Sequence, residues 1–146
     1  MADFIYEEPF PLKNDPTEYR KISSDYVSTF EIEGREILKI DAKALEVLAE
    51  QAMSDVSFML RSSHLEKVAK ILDDPEATDN DRFVAYTLLK NAQTAVEGKL
   101  PSCQDTGTAI VMAKKGENVF TGEEDAKFLS KGVFKYDAVI KVTKEG

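Results

Sequence analysis

The sequence predicts an α+β fold, in which an N-terminal arm and a hairpin precede a layer of about three helices and a small antiparallel sheet. Three apolar patterns with helical spacing lie between residues 42 and 97. Segments rich in β-branched and aromatic residues, which are typical of strands, flank them on both sides. No internal repeat or linker interrupts the 146 residues, so we expect a single domain over 1–146.

The first 40 residues predict an arm followed by a hairpin. Residues 1–25 are expected to be extended, since three prolines restrict the backbone there: Pro9, Pro11 and Pro16. The apolar side chains of this arm suggest that it docks on the rest of the chain: Phe4, Tyr6, Phe10 and Leu12. Residues 26–33 and 35–40 then predict two strands that turn at Glu33-Gly34, because glycine can adopt the positive φ of such a turn.

The helical layer is predicted from caps and apolar spacing. A helix over 42–61 follows Asp41, whose carboxylate can cap the first turn. A second helix over 64–73 is expected, because Ser63 and Glu66 have the spacing of a capping box.

The third helix is predicted over 79–97, where it begins after Thr78 and ends at Gly98. Asp79 and Asp81 are favourably placed near its positive end. Apolar residues surround much of its circumference, which predicts burial on more than one side. These residues are Phe83, Val84, Tyr86, Leu88, Leu89 and Ala92.

The last third of the chain is predicted to form the antiparallel sheet. A strand over 109–113 is expected to turn at 114–118 and to return over 119–121. A weak helical pattern over 123–135 is interrupted at Gly132, and residues 136–143 alternate in the manner of a strand.

Charge and composition exclude several classes of function. The net charge of −8, from 27 acidic and 19 basic residues, opposes a nucleic-acid surface and binding to anionic membranes. A single cysteine excludes an internal disulfide and is typical of a reducing compartment. The acidic start does not have the pattern of a signal peptide, and no apolar run is long enough to span a membrane. We therefore expect a cytoplasmic protein.

Cys103, the only cysteine, lies in a polar loop between the third helix and the strand over 109–113, where chemistry is often presented. Other interpretations are a small buried hydrophobe for Cys103 and an ordinary turn for Asp105-Thr106-Gly107. A cysteine nucleophile would need a histidine base, and we place the only histidine, His64, at the surface of a helix start. The basic pair Lys114-Lys115 either attracts an anion or is simply solvated.

The loop also resembles a known family. Its residues are similar to the signature around the first cluster-binding cysteine of the class I, iron–sulfur-dependent fumarate hydratases: Ser102-Cys103-Gln104-Asp105-Thr106-Gly107-Thr108-Ala109. Three further segments resemble the start of the single-chain members: Pro9-Phe10-Pro11-Leu12, Phe30-Glu31-Ile32-Glu33-Gly34-Arg35-Glu36-Ile37-Leu38 and Ser57-Phe58-Met59-Leu60-Arg61. The resemblance extends from Tyr6 to Phe134, and the residues after Phe134 do not match.

The resemblance implies a hydro-lyase of the tricarboxylic acid cycle that reversibly hydrates fumarate to (S)-malate. Its cofactor would be a [4Fe-4S] cluster with one open iron, and Cys103 would supply one of the three cluster thiolates. Gln104 would donate to a carboxylate of the small dicarboxylate substrate. Asp105 would contact the substrate near its hydroxyl group and act as a proton donor or acceptor.

The resemblance further implies that this chain is an incomplete N-terminal domain. The family supplies two more cysteines from a longer C-terminal portion, so we expect that portion to be a partner, a homodimer in the complete form, and no activity from this chain alone. Two alternatives remain. One is a hydro-lyase of the tartrate dehydratase type, and the other is a truncated, non-catalytic remnant that folds or binds a partner.

Overall fold

The computed structural model describes residues 4–7, 17–103, 108–122 and 124–144. Within these ranges a hairpin is followed by three helices, a short strand and a long helix. The elements are β1 (Val27–Ile32), β2 (Arg35–Ile40), α1 (Ala42–Phe58), α2 (Ser62–Lys70), a 3-10 turn (Ile71–Asp73), α3 (Asp79–Ala95), β3 (Val119–Phe120) and α4 (Asp125–Lys144). The predicted α+β class is confirmed.

The predicted hairpin is present. β1 and β2 pair antiparallel, and Glu33 and Gly34 both have positive φ, 51° and 76°. Positive φ at both central residues gives the two-residue turn whose twist matches that of the strands.

The rest of the sheet differs from the prediction. Residues 109–113 form no strand, and β3 does not return along them but pairs parallel with β2, Leu38 opposite Val119. The sheet is therefore mixed, in the order β1-β2-β3. The open edge of β2 offers unpaired backbone groups, and the amide of Leu38 donates to the carbonyl of Asn118 at 2.8 Å.

The expected Asp41 cap of α1 and the expected start of α3 after Thr78 are present. The carboxylate of Asp41 accepts a 2.7 Å hydrogen bond from the amide of Lys43, although α1 ends three residues earlier than predicted. Thr78 and Asp81 form a reciprocal capping box at the start of α3. Gly98, with φ of 76°, lies just beyond the end of α3.

The expected capping box of α2 was wrong. This helix begins at Ser62 with Arg61 in the N-cap position, so Ser63 lies one residue inside the helix. The amide of Ser62 instead donates to the hydroxyl of Thr17, at 3.2 Å. A contact from a segment distant in sequence therefore replaces a local cap, and sequence spacing alone does not reveal it.

The described part of the arm docks through polar rather than apolar groups. Besides the Thr17 contact, Arg20 forms a 2.6 Å ion pair with Asp55 of α1. Phe4 and Tyr6 are exposed, which contradicts the expected apolar docking. The other two apolar residues named for this arm, Phe10 and Leu12, lie outside the described residues.

The expected strand over 136–143 was wrong, because α4 continues through Gly132 to Lys144. A Cβ atom on Gly132 would lie 2.2 Å from the carbonyl oxygen of Glu46 and 2.7 Å from Cβ of Ala49. The glycine is thus a packing position that lets α4 approach α1, and it does not interrupt the helix.

Few side chains are fully covered in the described part of the chain. The buried apolar residues there are the small Ala49, Ala85 and Ala95, and no large side chain is fully buried. Phe83 of α3 is 68% exposed, so the expected burial of α3 on several sides is not met within this chain. Across the described ranges, no helix is both long and apolar enough to cross a bilayer.

Candidate functional site: the Cys103 loop

The Cys103 loop, residues 96–103, begins where α3 ends. The amide of Gly98 donates to the carbonyl of Ala95 at 2.9 Å, and the positive φ of Gly98 turns the chain away from the helix axis. Five residues later Cys103 carries a free, exposed thiol. Its exposure contradicts the interpretation of a small buried hydrophobe and agrees with a thiol that is presented to a ligand.

Ser102 ties this loop to the end of α1. Its amide donates to the carbonyl of Ser57 at 2.8 Å, and its hydroxyl donates to the same oxygen at 3.2 Å. The last four carbonyls of a helix have no partner inside the helix, and that of Ser57 is one of them. Ser102 therefore caps α1 from 45 residues further along the chain.

Asn91 of α3 bonds the backbone carbonyl of Ser102. Its side-chain amide donates a 2.7 Å hydrogen bond to the carbonyl of Ser102. Both backbone groups of the residue before Cys103 are thus bonded, one to α1 and the other to α3. Sequence reasoning assigned no role to Ser57 or Asn91. Ser57 falls within a segment that resembles the family, but no pattern around Asn91 signals its contact.

The remaining predicted site residues directly follow Cys103 in the sequence. Gln104 and Asp105 lie outside the described residues, as do Thr106 and Gly107. Their predicted roles stay predictions. His64 lies in the first turn of α2 and is exposed, which confirms its expected position at the surface.

Lys115 forms hydrogen bonds to two side chains of the chain itself. Its Nζ atom donates to Thr121 Oγ1 at 2.9 Å and to Asp125 Oδ2 at 2.8 Å. Thr121, which is buried, in turn donates to Asp125 Oδ1 at 2.5 Å. The hydrogen bond from Lys115 holds the pKa of Asp125 below its usual range. This lysine therefore fastens the segment after the Cys103 loop to the first residue of α4, which neither of the two predictions for Lys114-Lys115 anticipated.

Exposed apolar side chains adjoin the loop in sequence and through the Ser57 contact. Leu100 within the loop is 60% exposed. Others follow the loop or lie near Ser57: Ile110, Val111, Met112, Val56, Met59 and Leu60. A concentration of exposed apolar side chains of this kind is typical of a protein interface.

The thiol of Cys103 has the chemistry of a ligand for an iron–sulfur cluster. A thiolate is the ligand that iron–sulfur clusters take, and the exposed thiol of Cys103 suits that role. Among the described residues, however, no group of three or more His, Cys, Asp or Glu side chains is arranged to hold a metal ion. The chemistry of the exposed Cys103 thiol therefore suits a single ligand position.

Comparisons with known proteins cover most of the chain. The family model described as "Fumarate hydratase (Fumerase)" matches residues 46–141, so the match extends past Phe134, where the resemblance was expected to end. The chain is 53% identical over 131 residues to "Fumarate hydratase class I, anaerobic" of Escherichia coli (strain K12), covering 90% of this chain and 24% of that protein. It is 49% identical over 138 residues to "Fumarate hydratase 2" of Leishmania major, covering 91% of this chain and 24% of that protein. The chain thus spans about a quarter of the length of these relatives.

Proposed function

The chain belongs to the fumarate hydratase family, and from this premise we propose that it forms the cysteine-bearing quarter of an iron–sulfur hydro-lyase. The complete enzyme would add water reversibly to fumarate and give (S)-malate. One observation carries the proposal: Cys103 is exposed, and the residue before it is anchored to two helices. The relatives are named for fumarate, which favours this substrate over tartrate.

In this proposal Cys103 is one of three thiolate ligands of a [4Fe-4S] cluster in the complete enzyme. When bound, the cluster supplies a Lewis-acidic iron that makes the substrate hydroxyl a better leaving group. The side-chain amide of Gln104 donates to a substrate carboxylate without adding a charge. Asp105 would hold or release the proton of that hydroxyl, a role that typically contributes about 10²–10⁴ in rate.

The charge of the chain supports a composite site. A dicarboxylate is repelled by a chain of net charge −8, so cationic groups must be supplied locally. Lys115 is already paired with Asp125 and does not serve this purpose. We therefore assign the cationic groups and two cluster cysteines to the C-terminal portion of the enzyme, which packs on the exposed apolar side chains around the loop. We further place the complete enzyme, a homodimer, in the cytoplasm and in the tricarboxylic acid cycle.

A chimera tests the proposal directly. The matching segment of the Escherichia coli enzyme is replaced by this chain, which the 53% identity makes feasible. After anaerobic reconstitution, we expect cluster absorbance, bound iron and sulfide, and hydration of fumarate. Cys103→Ser should abolish the cluster and the activity, whereas His64→Ala, a change at an exposed residue outside the loop, should preserve both.

Two results would contradict the proposal. One is a folded chimera that binds no cluster, which would favour a non-catalytic remnant. The other is full activity in the Cys103→Ser variant, which would remove Cys103 from the ligand set.

A further inference from the structure

We propose that Asn91 is a positioning residue for Cys103, and this inference rests on the proposed function of Cys103 as a cluster ligand. The side-chain amide of Asn91 donates to the carbonyl of Ser102 at 2.7 Å, while the amide of Ser102 donates to Ser57 at 2.8 Å. We call these two contacts the Ser102 clamp. It acts on Cys103 through the backbone and makes no contact with substrate.

The planarity of the peptide bond explains how the clamp reaches Cys103. The carbonyl of Ser102 and the amide nitrogen of Cys103 belong to one rigid peptide plane. A hydrogen bond to that carbonyl therefore orients the bond that leads to the α-carbon of Cys103. With this plane held, the direction of the thiol depends on few remaining rotations. Such preorganisation lowers the entropic cost of binding a ligand.

The clamp joins two elements that are far apart in sequence. Ser57 lies at the end of α1, and Asn91 lies in the last two turns of α3, so the loop is held in register with both helices. A thiolate that must meet ligands from another part of the enzyme needs this fixed placement. Residues that orient metal ligands commonly change metal affinity about 10–100-fold when they are mutated.

The position of Asn91 separates this role from an ordinary contribution to stability. The residue is exposed and lies inside a helix, where asparagine is a poorer helix former than alanine or leucine. Asn91→Ala and Asn91→Leu should therefore preserve or strengthen α3. If Asn91 contributed only to the stability of α3, neither change would loosen the loop.

The test on this chain uses its single thiol. A nitroxide label on Cys103 reports the motion of the loop by electron paramagnetic resonance, and circular dichroism reports the helices. In Asn91→Ala and Asn91→Leu we expect the rotational correlation time of the label to fall about two-fold, with unchanged helicity. Asn91→Gln, which keeps the donor, should restore part of the order. The matched control is Gln93→Ala, since Gln93 is an exposed amide of the same helix that bonds Lys90.

The test on the chimera measures the cluster itself. Asn91→Leu should speed cluster loss to a chelator about 10-fold or more and leave the KM for fumarate unchanged. Unchanged label mobility, or a change in KM with unchanged cluster loss, would overturn the inference. A parental chimera without a cluster would contradict the proposed function, and with it the role of the clamp in cluster binding. The label experiment distinguishes that failure from failure of the clamp.

Discussion

A Cβ atom built on Gly132 lies 2.2 Å from the carbonyl oxygen of Glu46, so α4 crosses α1 at a distance that only glycine permits. The obstacle is a backbone oxygen inside a helix, which cannot move aside as the end of a flexible side chain can. Gly132 therefore determines how closely the two helices pack.

Gly132→Ala should lower the free energy of unfolding by about 2 kcal/mol. Alanine is the better helix former by about 1 kcal/mol, but the overlap with α1 costs more than this gain. Urea unfolding followed by circular dichroism measures the change. Gly116→Ala is the control, since its Cβ meets only Cγ2 of Val119 at an ordinary 3.6 Å. A Gly132→Ala variant as stable as the parent would show that the helices are free to move apart.

Glu46 supplies a pH-dependent contribution at the same helix crossing. Its side chain is nearly buried, and it forms ion pairs with Lys135 of α4 and, at 2.6 Å, with Lys43 of α1. The hydrogen bonds from Lys135 and Lys43 lower the pKa of Glu46 to about 2 from 4.5. The ionised carboxylate therefore stabilises the fold above pH 4.5, and this contribution is lost as the pH falls from 4.5 towards 2.

Glu46→Gln should consequently destabilise the chain at pH 7 and change its pH profile. The difference in unfolding free energy between parent and variant should shrink steadily below pH 4.5. Urea denaturation at several pH values measures this difference. In the control Glu50→Gln the effect should be smaller, because Glu50 lies 3.8 Å from Lys135 and is more exposed. A parent–variant difference that stays constant from pH 7 to pH 3 would contradict the assignment.

The capping box of α3 also makes a measurable contribution. The hydroxyl of Thr78 accepts from the amide of Asp81 at 3.2 Å, and Asp81 accepts from the amide of Thr78 at 2.9 Å. Thr78→Ala should cost about 1 kcal/mol in unfolding free energy. Thr87→Ala is the control, since the Thr87 hydroxyl bonds within the same helix, at 2.8 Å to the carbonyl of Phe83, and caps nothing. Equal losses in both variants would argue against a specific capping effect.

This chain by itself should hold no stable four-iron cluster and hydrate no fumarate. The reason is that Cys103 supplies a single thiolate, and a cluster held by one protein ligand depends on exogenous thiols. Anaerobic reconstitution with iron and sulfide, desalting and absorbance spectroscopy test this, together with an assay of fumarate hydration. Cluster absorbance that survives desalting would be incompatible with this expectation.

Local signals account for what the sequence predicted correctly. The turn at Glu33-Gly34, the cap at Asp41 and the start of α3 after Thr78 each depend on neighbouring residues alone. The backbone preferences behind these features act over a few residues, so the features can be predicted without knowledge of the fold. The family resemblance likewise follows from a contiguous run around Cys103, and the comparisons confirmed it.

Contacts between segments distant in sequence determine the features that the sequence predicted wrongly. β3 pairs with the edge of β2 rather than with residues 109–113, since an open edge accepts whichever strand the fold brings to it. Gly132, which suggests a break in a helix, became a packing position because α1 lies against it.

The α+β class, the Asp41 cap and the cysteine that the proposed cluster needs can all be identified from the residues alone. The placement of that cysteine depends on the fold, because Ser57 and Asn91 lie 45 and 11 residues from Ser102 and meet it only after α1 and α3 have formed. Hydrogen bonds of this kind depend on the positions of whole helices. No local pattern of residues encodes them.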